Sequence, residues 1–168
     1  DNKYSLELFH GPTLAFKDVG ARFMARILGF FNSVNDDKRP VNVLVATSGD
    51  TGSAVANGFL GVEGVRVVVL YPSGKVSAIQ ESQFTTLGEN VYAIEVNGTF
   101  DDCQALVKKA FLDEELNSLH KLTSANSINI ARFMPQMFYY FYAFAQLAKM
   151  GEKLDSIVVS VPSGNFGN

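Results

Sequence analysis

The sequence predicts an α/β fold in which helices flank a parallel β-sheet, and three observations predict it. Short apolar runs alternate along the chain with segments whose apolar residues recur at helical spacing. The connections between them are short, as in strand–helix–strand crossover units, which pair strands in parallel. Three of the apolar runs end in turns rich in Gly, Ser, Asn or Asp, which is typical of strand-to-helix connections in this class.

The first predicted helix begins near Asp18, because Val19, Phe23, Ile27 and Phe30 form one apolar stripe at helical spacing. Residues 4–9, just before it, are strand-like. The predicted strands after it are 41–47, 65–71, 91–96, a short one at 121–124 and a last one at 156–161. The predicted helices are 51–60, 77–87, 100–116 and about 132–149.

Polar residues and one proline predict where helices begin. Ser77 is a candidate N-cap, and Thr99 or Asp101 caps the helix that follows residue 98. Pro135 either begins the regular part of the last helix or kinks it. The aromatic run at 137–145 is too short to span a bilayer, so we expect it in the core or at a subunit interface.

The composition excludes several classes of function. The chain is 47% hydrophobic and 18% charged, as in globular proteins, and its net charge of −3 argues against a nucleic-acid partner. Cys103 is the only cysteine and there are two histidines, so we expect no disulfide and no metal site. With no signal peptide visible, we expect a cytoplasmic protein with no membrane partner.

Both ends of the chain predict an internal fragment of a larger protein. Asp1 is not an initiator methionine, and Asn168 falls inside a glycine-rich turn. We therefore expect no significant turnover by these 168 residues alone.

Lys17 is the candidate catalytic residue. It follows Phe16 and lies at the start of a predicted helix, where the helix dipole does not stabilise a cation. Its amine is then easier to deprotonate than that of a lysine on an open surface, which is the alternative interpretation.

The turns at 47–53, 72–77 and 162–168 predict where a ligand binds. In a parallel sheet they lie at the carboxyl ends of the strands, and their N–H groups point at helix entrances. One such turn alone is no more than a turn. Three at one edge predict a ligand that carries more than one anionic group.

Four segments resemble threonine synthase, in the bacterial and fungal branch of that family: GPTLAFKD at 11–18, SGDTGSA at 48–54, SANSIN at 124–129 and SGNFGN at 163–168. That family belongs to fold type II of the pyridoxal phosphate enzymes. The resemblance implies that Lys17 holds pyridoxal 5'-phosphate as a Schiff base. It also implies a main-chain cradle for the cofactor phosphate, made by Gly164, Asn165, Phe166, Gly167 and Asn168.

The resemblance implies a further set of contacts at the turn after residue 47. The substrate carboxylate would meet Ser48, Gly49, Thr51 and Gly52. Asp50 would either accept a hydrogen bond from a protonated ring oxygen of the cofactor or cap the helix. Relatives such as cysteine synthase carry Asn at this position, so its partner stays open.

The phosphate of the substrate has its own candidate residues. They are Asn126, Ser127, Asn129 and Arg132, together with Lys75 and Ser77. The alternatives are helix capping by Ser127 and Ser77 and a surface position for Lys75.

The resemblance implies conversion of O-phospho-L-homoserine and water to L-threonine and phosphate, by a possible homo-oligomer. The alternatives are another lyase of the same fold, such as a threonine or serine dehydratase or cysteine synthase, and a non-catalytic module that binds a phosphate ligand. We expect residues 1–125 to form most of a small α/β domain. Residues 126–168 would begin the cofactor domain, and the partner of the pyridine nitrogen would lie outside this chain.

Overall fold

The computed structural model describes residues 3–127 and 129–163. Its strands are β1 (Val41–Ala46), β2 (Val65–Pro72), β3 (Val91–Val96) and β4 (Lys121–Ser124). Its helices are α1 (Lys17–Val34), α2 (Asp50–Phe59), α3 (Ala78–Thr85), α4 (Phe100–Leu112), α5 (Glu114–Leu119), α6 (Ile130–Phe133) and α7 (Phe138–Lys149). A 3-10 turn, Met134–Met137, separates the last two helices.

The four strands form one parallel sheet in the order β3-β2-β1-β4. Val41 at the start of β1 pairs with Val65 on one side and with Lys121 on the other. The predicted α/β fold with a parallel sheet is therefore confirmed. β1 lies between two neighbours, and its side chains are buried on both faces, as its continuous apolar run predicts.

Successive residues of β1 point to opposite faces of the sheet and belong to two separate cores. Val43 and Val45 pack with the fully buried Phe59 under α1 and α2. Leu44 and Ala46 pack with Cys103 and other residues of α4 on the other face. The two layers of helices hold the end of β1, and therefore the turn that follows it, in a fixed place.

The apolar stripe predicted on α1 does not face this chain's core. Val19 is 45% exposed and Phe30 is 61% exposed. The buried face carries small residues instead, among them Gly20 and Ala21. A Cβ atom added to Gly58 of α2 would lie 3.0 Å from the carbonyl carbon of Ala21, so these small residues let the two helices approach closely.

The helix starts follow the predicted caps in two places. Ser77 accepts a hydrogen bond from the Gln80 N–H and caps α3, which confirms that prediction. Thr99, rather than Asp101, caps α4 through a reciprocal capping box with Asp102. The predicted helix 100–116 ends at residue 112, because Asp113 caps α5 by accepting from the Leu116 N–H.

The strand predicted at 156–161 is wrong, and residues 4–9 form no strand either. The run at 156–161 has strand composition, but Val158 is 93% exposed and the described part of the chain offers this run no ladder partner. The predicted helix at 132–149 is divided, with Pro135 in the 3-10 turn before α7 begins. Pro135 thus lies in the break between α6 and α7, and the regular helix begins three residues later, at Phe138.

The aromatic helix α7 is not part of this chain's core. None of its residues is buried, and Phe141 is 65% exposed. Exposure within the described residues excludes neither predicted location, so the core of a larger protein and a subunit interface both stay predictions. Among the described residues, no helix is long and apolar enough to cross a membrane.

Candidate cofactor and substrate site

Lys17 is a buried amine with one charged partner in the structure. It is the first residue of α1 and is 3% exposed, so it is not a surface lysine. Its Nζ donates a hydrogen bond of 2.7 Å to Oδ2 of Asp50 and lies 5.4 Å from the centroid of the Phe16 ring. The structure thus brings together two predicted site residues that lie 33 positions apart in the sequence.

The segment before Lys17 is fastened by the carboxylate of Asp18, which is also buried. Asp18 accepts hydrogen bonds from the Thr13 N–H at 3.0 Å and from the Thr13 hydroxyl at 2.5 Å. Leu14 adopts a φ of +57°, a left-handed conformation that a branched side chain rarely takes. At Gly11 an added Cβ would lie 2.3 Å from Oδ2 of Asp18, so the carboxylate fits only against a glycine.

Tyr139 reaches the same segment from α7. Its hydroxyl donates a hydrogen bond to the carbonyl oxygen of Phe16, across 123 positions of sequence. Burial, with a contribution from the negative charge of Asp18, raises the pKa of Tyr139 to about 12, so it stays a hydrogen-bond donor throughout the neutral range. Neither Tyr139 nor Asp18 was predicted from the sequence to be a site residue.

The turn between β1 and α2 is organised by Thr47, which is 1% exposed. Its Oγ1 accepts hydrogen bonds from the N–H groups of Gly49, at 2.9 Å, and of Gly52, at 2.8 Å. Gly49 has a φ of +143°, and a Cβ there would lie 2.4 Å from Oε1 of Gln80. The turn therefore needs a glycine at this position for its conformation, whereas the flexible end of Gln80 could move away from a Cβ atom.

Asp50 follows this turn as the first residue of α2. The N-cap of α2 is Gly49, and no side chain caps the helix, so the predicted capping role of Asp50 is wrong. Its carboxylate turns to Lys17 instead, and its side chain is 42% exposed. Of the neighbouring predicted residues, Ser48 is exposed and Thr51 is half-buried.

Arg132 is the second buried cation of the region and is 2% exposed. Its Nε and Nη1 atoms have no hydrogen-bond partner in the described part of the chain. Burial lowers the pKa of Arg132, and the negative charge of Asp50 works in the opposite direction. A buried guanidinium with unpaired N–H groups is costly by itself, so this arrangement suits an anionic ligand.

The structure gives Asn126 and Asn129 structural hydrogen bonds. The Asn126 side-chain amide accepts from the main-chain N–H of Ala46 at 3.2 Å and donates to its carbonyl at 2.9 Å. Asn129 accepts from the Ala131 N–H at 3.0 Å and thereby caps α6. Capping at this position thus belongs to Asn129, and the predicted capping by Ser127 is wrong.

The remaining predicted residues are not brought into this cluster. Lys75 and Ser77 are exposed, and no contact described in the structure joins them to Lys17, Asp50 or Arg132. The exposure of Lys75 agrees with the surface alternative, and Ser77 caps α3. The predicted phosphate cradle, Gly164 to Asn168, lies outside the described residues.

Comparison with known proteins identifies the class of protein. A family model described as pyridoxal-phosphate dependent enzyme matches residues 5–167. The chain belongs to the pyridoxal-phosphate dependent enzyme family, and pyridoxal phosphate is the cofactor of that class.

The similar proteins are threonine synthases. The chain is 58% identical to threonine synthase of Haemophilus influenzae over 100% of this chain and 38% of that protein. It is 48% identical to threonine synthase of Saccharomyces cerevisiae, over 100% of this chain and 34% of that one. The solved structure of pyridoxal phosphate-bound threonine synthase from Brucella melitensis has a TM-score of 0.83 and 43% identity over 96% of this chain and 34% of its own. The chain therefore spans little more than a third of the length of these relatives, and the predicted family and fold are confirmed.

Proposed function

We propose that this chain is part of a pyridoxal phosphate-dependent threonine synthase, which converts O-phospho-L-homoserine and water to L-threonine and phosphate. The observation that carries the proposal is the buried Lys17 amine, held 2.7 Å from Asp50 at the carboxyl edge of the sheet. The similarity to threonine synthases of bacteria and yeast supports the same reaction.

The residues present fit the cofactor. An aldehyde reacts with a desolvated amine, and Lys17 is 3% exposed with its amine held beside the Asp50 carboxylate. We propose that Gly164, Asn165, Phe166, Gly167 and Asn168 hold the cofactor phosphate. When bound, pyridoxal phosphate supplies the electron sink for reaction at the substrate carbons.

Lys17 would also move protons during the reaction. Its amine would take protons from the α and β carbons of the substrate as general base and return them to the γ and α carbons as general acid. Asp50 would keep Nζ at the carboxyl edge of the sheet between these transfers. Phosphate leaves from the γ carbon, and water adds at the β carbon.

Arg132 is the proposed partner of the substrate phosphate. Negative charge accumulates on that group as it leaves, and a guanidinium with unpaired N–H groups stabilises it in a buried site. Asn126 and Asn129, whose amides hold the end of β1 and the start of α6, would then support the position of Arg132. We keep Ser127, Lys75 and Ser77 as weaker candidates, because two of the three are exposed.

The substrate carboxylate is assigned to the turn at residues 48–52. In the described structure the N–H groups of Gly49 and Gly52 donate hydrogen bonds to the Thr47 hydroxyl. These two N–H groups are therefore used in shaping the turn. The N–H groups of Asp50 and Thr51, in the first turn of α2, would then bind the carboxylate, with Ser48 beside them. Helix N-termini favour such anions through both their free N–H groups and the helix dipole.

Chemical trapping on the intact protein tests this proposal. Borohydride reduction with pyridoxal phosphate, followed by peptide mass spectrometry, is expected to place the adduct on Lys17. The adduct is expected to be absent in Lys17→Ala and unchanged in the surface control Lys108→Ala, since Lys108 is exposed on α4. No adduct on Lys17 in the wild-type protein would end the proposal.

The substrate is tested separately from the cofactor. We expect phosphate release from O-phosphohomoserine, and a strong decrease of it in Arg132→Met, which removes the guanidinium and keeps an apolar chain. Pyruvate or ketobutyrate formation from serine or threonine, without phosphate release, would instead identify another lyase of the same fold.

We also propose a division of the chain at residue 125, with 1–125 forming most of a small domain and 126–168 beginning the cofactor domain. The position of all four strands before residue 125 supports it. A cytoplasmic homo-oligomer, with α7 at its interface, is proposed from the exposed aromatic residues of that helix. Limited proteolysis and light scattering on the intact protein test these two points.

A further inference from the structure

We infer that Tyr139 and Asp18 are positioning residues for Lys17: together they fix the backbone that presents the amine. The inference rests on the proposed function in one respect, namely that Lys17 carries the cofactor. Neither residue needs to touch cofactor or substrate for this role.

The first anchor of the Lys17 backbone is a hydrogen bond to the carbonyl of Phe16. This carbonyl belongs to the peptide unit that joins Phe16 to Lys17, and the Tyr139 hydroxyl donates a hydrogen bond to it. Phe16 is the N-cap of α1, but its side chain makes no capping hydrogen bond. The orientation of this peptide unit is therefore restrained by a residue of α7 in addition to the first turn of α1.

The position of Tyr139 is itself restrained. Phe138, its neighbour on α7, packs edge-to-face on Phe23 of α1, with ring centroids 6.5 Å apart and an interplanar angle of 78°. This contact joins the two helices one turn or more beyond the lysine. Helix α7 is thereby fixed against α1 at two points, the ring pair and the tyrosine hydroxyl.

The second anchor is Asp18, which follows Lys17 in the sequence. Its buried carboxylate accepts hydrogen bonds from both the N–H and the hydroxyl of Thr13. These two bonds close the loop that leads into α1. The tight fit of Gly11 against Oδ2 leaves this carboxylate little room to move. The residues before and after Lys17 are thus each attached to a separate part of the fold.

This arrangement matters because a lysine side chain is long and flexible. With its backbone fixed at Phe16 and Asp18, Lys17 has only its own side-chain torsions left to settle, and Asp50 holds the end of that chain. Reaction of an amine with an aldehyde requires a narrow range of distances and angles, and loss of this order slows it. Removal of one anchor is therefore expected to slow covalent attachment more than it weakens cofactor binding.

The test uses Tyr139→Phe in the intact protein, which removes only the hydroxyl group. Tyr142→Phe is the matched control, because Tyr142 lies on the same helix and is 58% exposed. The protein is freed of cofactor and mixed with saturating pyridoxal phosphate, and the rate of formation of the borohydride-stable Lys17 adduct is measured. The visible circular dichroism of the bound cofactor reports how rigidly it is held.

We expect Tyr139→Phe to slow covalent attachment at saturating cofactor by about 2- to 10-fold, which is the factor that one net hydrogen bond supplies. We also expect a weaker visible dichroism band and an unchanged far-ultraviolet spectrum. Tyr142→Phe is expected to match the wild type in all three measurements.

A second pair of variants tests the other anchor. Thr13→Val removes the hydroxyl that donates a hydrogen bond to Asp18, whereas Thr13→Ser keeps this hydroxyl. The valine variant is expected to show the same slowing as Tyr139→Phe, and the serine variant is expected to restore the wild-type rate.

The outcomes separate this inference from the proposed function. If the wild-type protein forms no adduct on Lys17, the proposed function fails and the inference falls with it. If the wild type forms the adduct, but Tyr139→Phe and Thr13→Val form it at the same rate and with the same dichroism, only the inference is overturned.

Discussion

A single methyl group at Gly20 is expected to disturb the site mainly through the main chain, without altering any of its charged groups. Gly20 lies in the second turn of α1, where the helix passes the main chain of α6. A Cβ added there would lie 2.1 Å from the carbonyl oxygen of Arg132, and real Cβ contacts essentially never fall below 3.0 Å. The two segments must therefore separate by at least 0.9 Å, the difference between these distances.

The expected energy follows from two opposing effects. Alanine is favoured over glycine inside a helix by roughly 0.5–1 kcal/mol. Overpacking in a close-packed region costs about 1–3 kcal/mol, and a main-chain oxygen cannot move aside as a flexible side chain can. We therefore expect Gly20→Ala to lower the free energy of unfolding by about 1–2 kcal/mol. Because the shift moves Arg132, the proposed release of phosphate from phosphohomoserine is expected to fall as well.

Gly29→Ala is the matched control, since Gly29 lies in the same helix. Its added Cβ would lie 3.0 Å from a methyl carbon of Val62, which is a side-chain contact that can adjust. We expect a change between zero and about 1 kcal/mol of stabilisation. Urea unfolding of the cofactor-free intact protein, followed by circular dichroism, measures both variants without a contribution from ligand binding. Equal effects of the two substitutions, or stabilisation by Gly20→Ala, would refute the reasoning.

Three further outcomes are expected. Thr47→Val leaves two buried main-chain N–H groups of the following turn without their acceptor, so urea unfolding is expected to show a loss of about 2–4 kcal/mol, smaller in Thr47→Ser. Burial raises the pKa of the Cys103 thiol, which is 0% exposed, so a thiol reagent at neutral pH is expected to label it only when urea unfolds the protein; fast labelling without urea would contradict this. The neighbouring Arg39 guanidinium holds the pKa of Asp37 below its usual range. This pair therefore contributes stability above the unfolded pKa of about 3.9, and the contribution is lost as the pH falls. The difference in urea unfolding midpoint between wild type and Asp37→Asn is expected to narrow below that pH.

The two central strands could be predicted from the sequence because most of their residues are apolar and buried. The valine-rich runs that became β1 and β2 are apolar apart from Asn42, Arg66 and the final Pro72, and their predicted ends are within one residue of the observed ones. The run at 156–161 has the same composition and forms no strand. Composition predicts that a segment is suited to a strand, but the ladder partner that makes it one is a property of the fold.

The sequence pattern also did not identify which face of helix α1 is buried. On α1 the apolar stripe of Val19 and Phe30 is the obvious core face, yet the buried side carries glycine and alanine. Close helix packing selects small residues, and their low hydrophobicity hides that selection from a periodicity argument.

Some residues of the candidate site could likewise be predicted from the sequence, and others could not. Lys17 and Asp50 could be predicted because each lies in a motif next to a glycine-rich turn. Tyr139 could not, since which of several adjacent aromatic residues reaches Phe16 depends on the rotation of α7 about its axis. The structural hydrogen bonds of Asn126 to Ala46 were hidden for a similar reason, because they join residues that are 80 positions apart.

The spacing of the two contacts around Lys17 has a consequence for the growing polypeptide. Asp50 follows the lysine by 33 positions, so this pair is available soon after the first crossover has left the ribosome. Tyr139 is 123 positions beyond Phe16. The entropic cost of closing a loop rises only slowly with its length, so the delay is set by synthesis rather than by the search for the partner. The lysine thus meets its carboxylate early and receives its last restraint only when most of this chain has been translated.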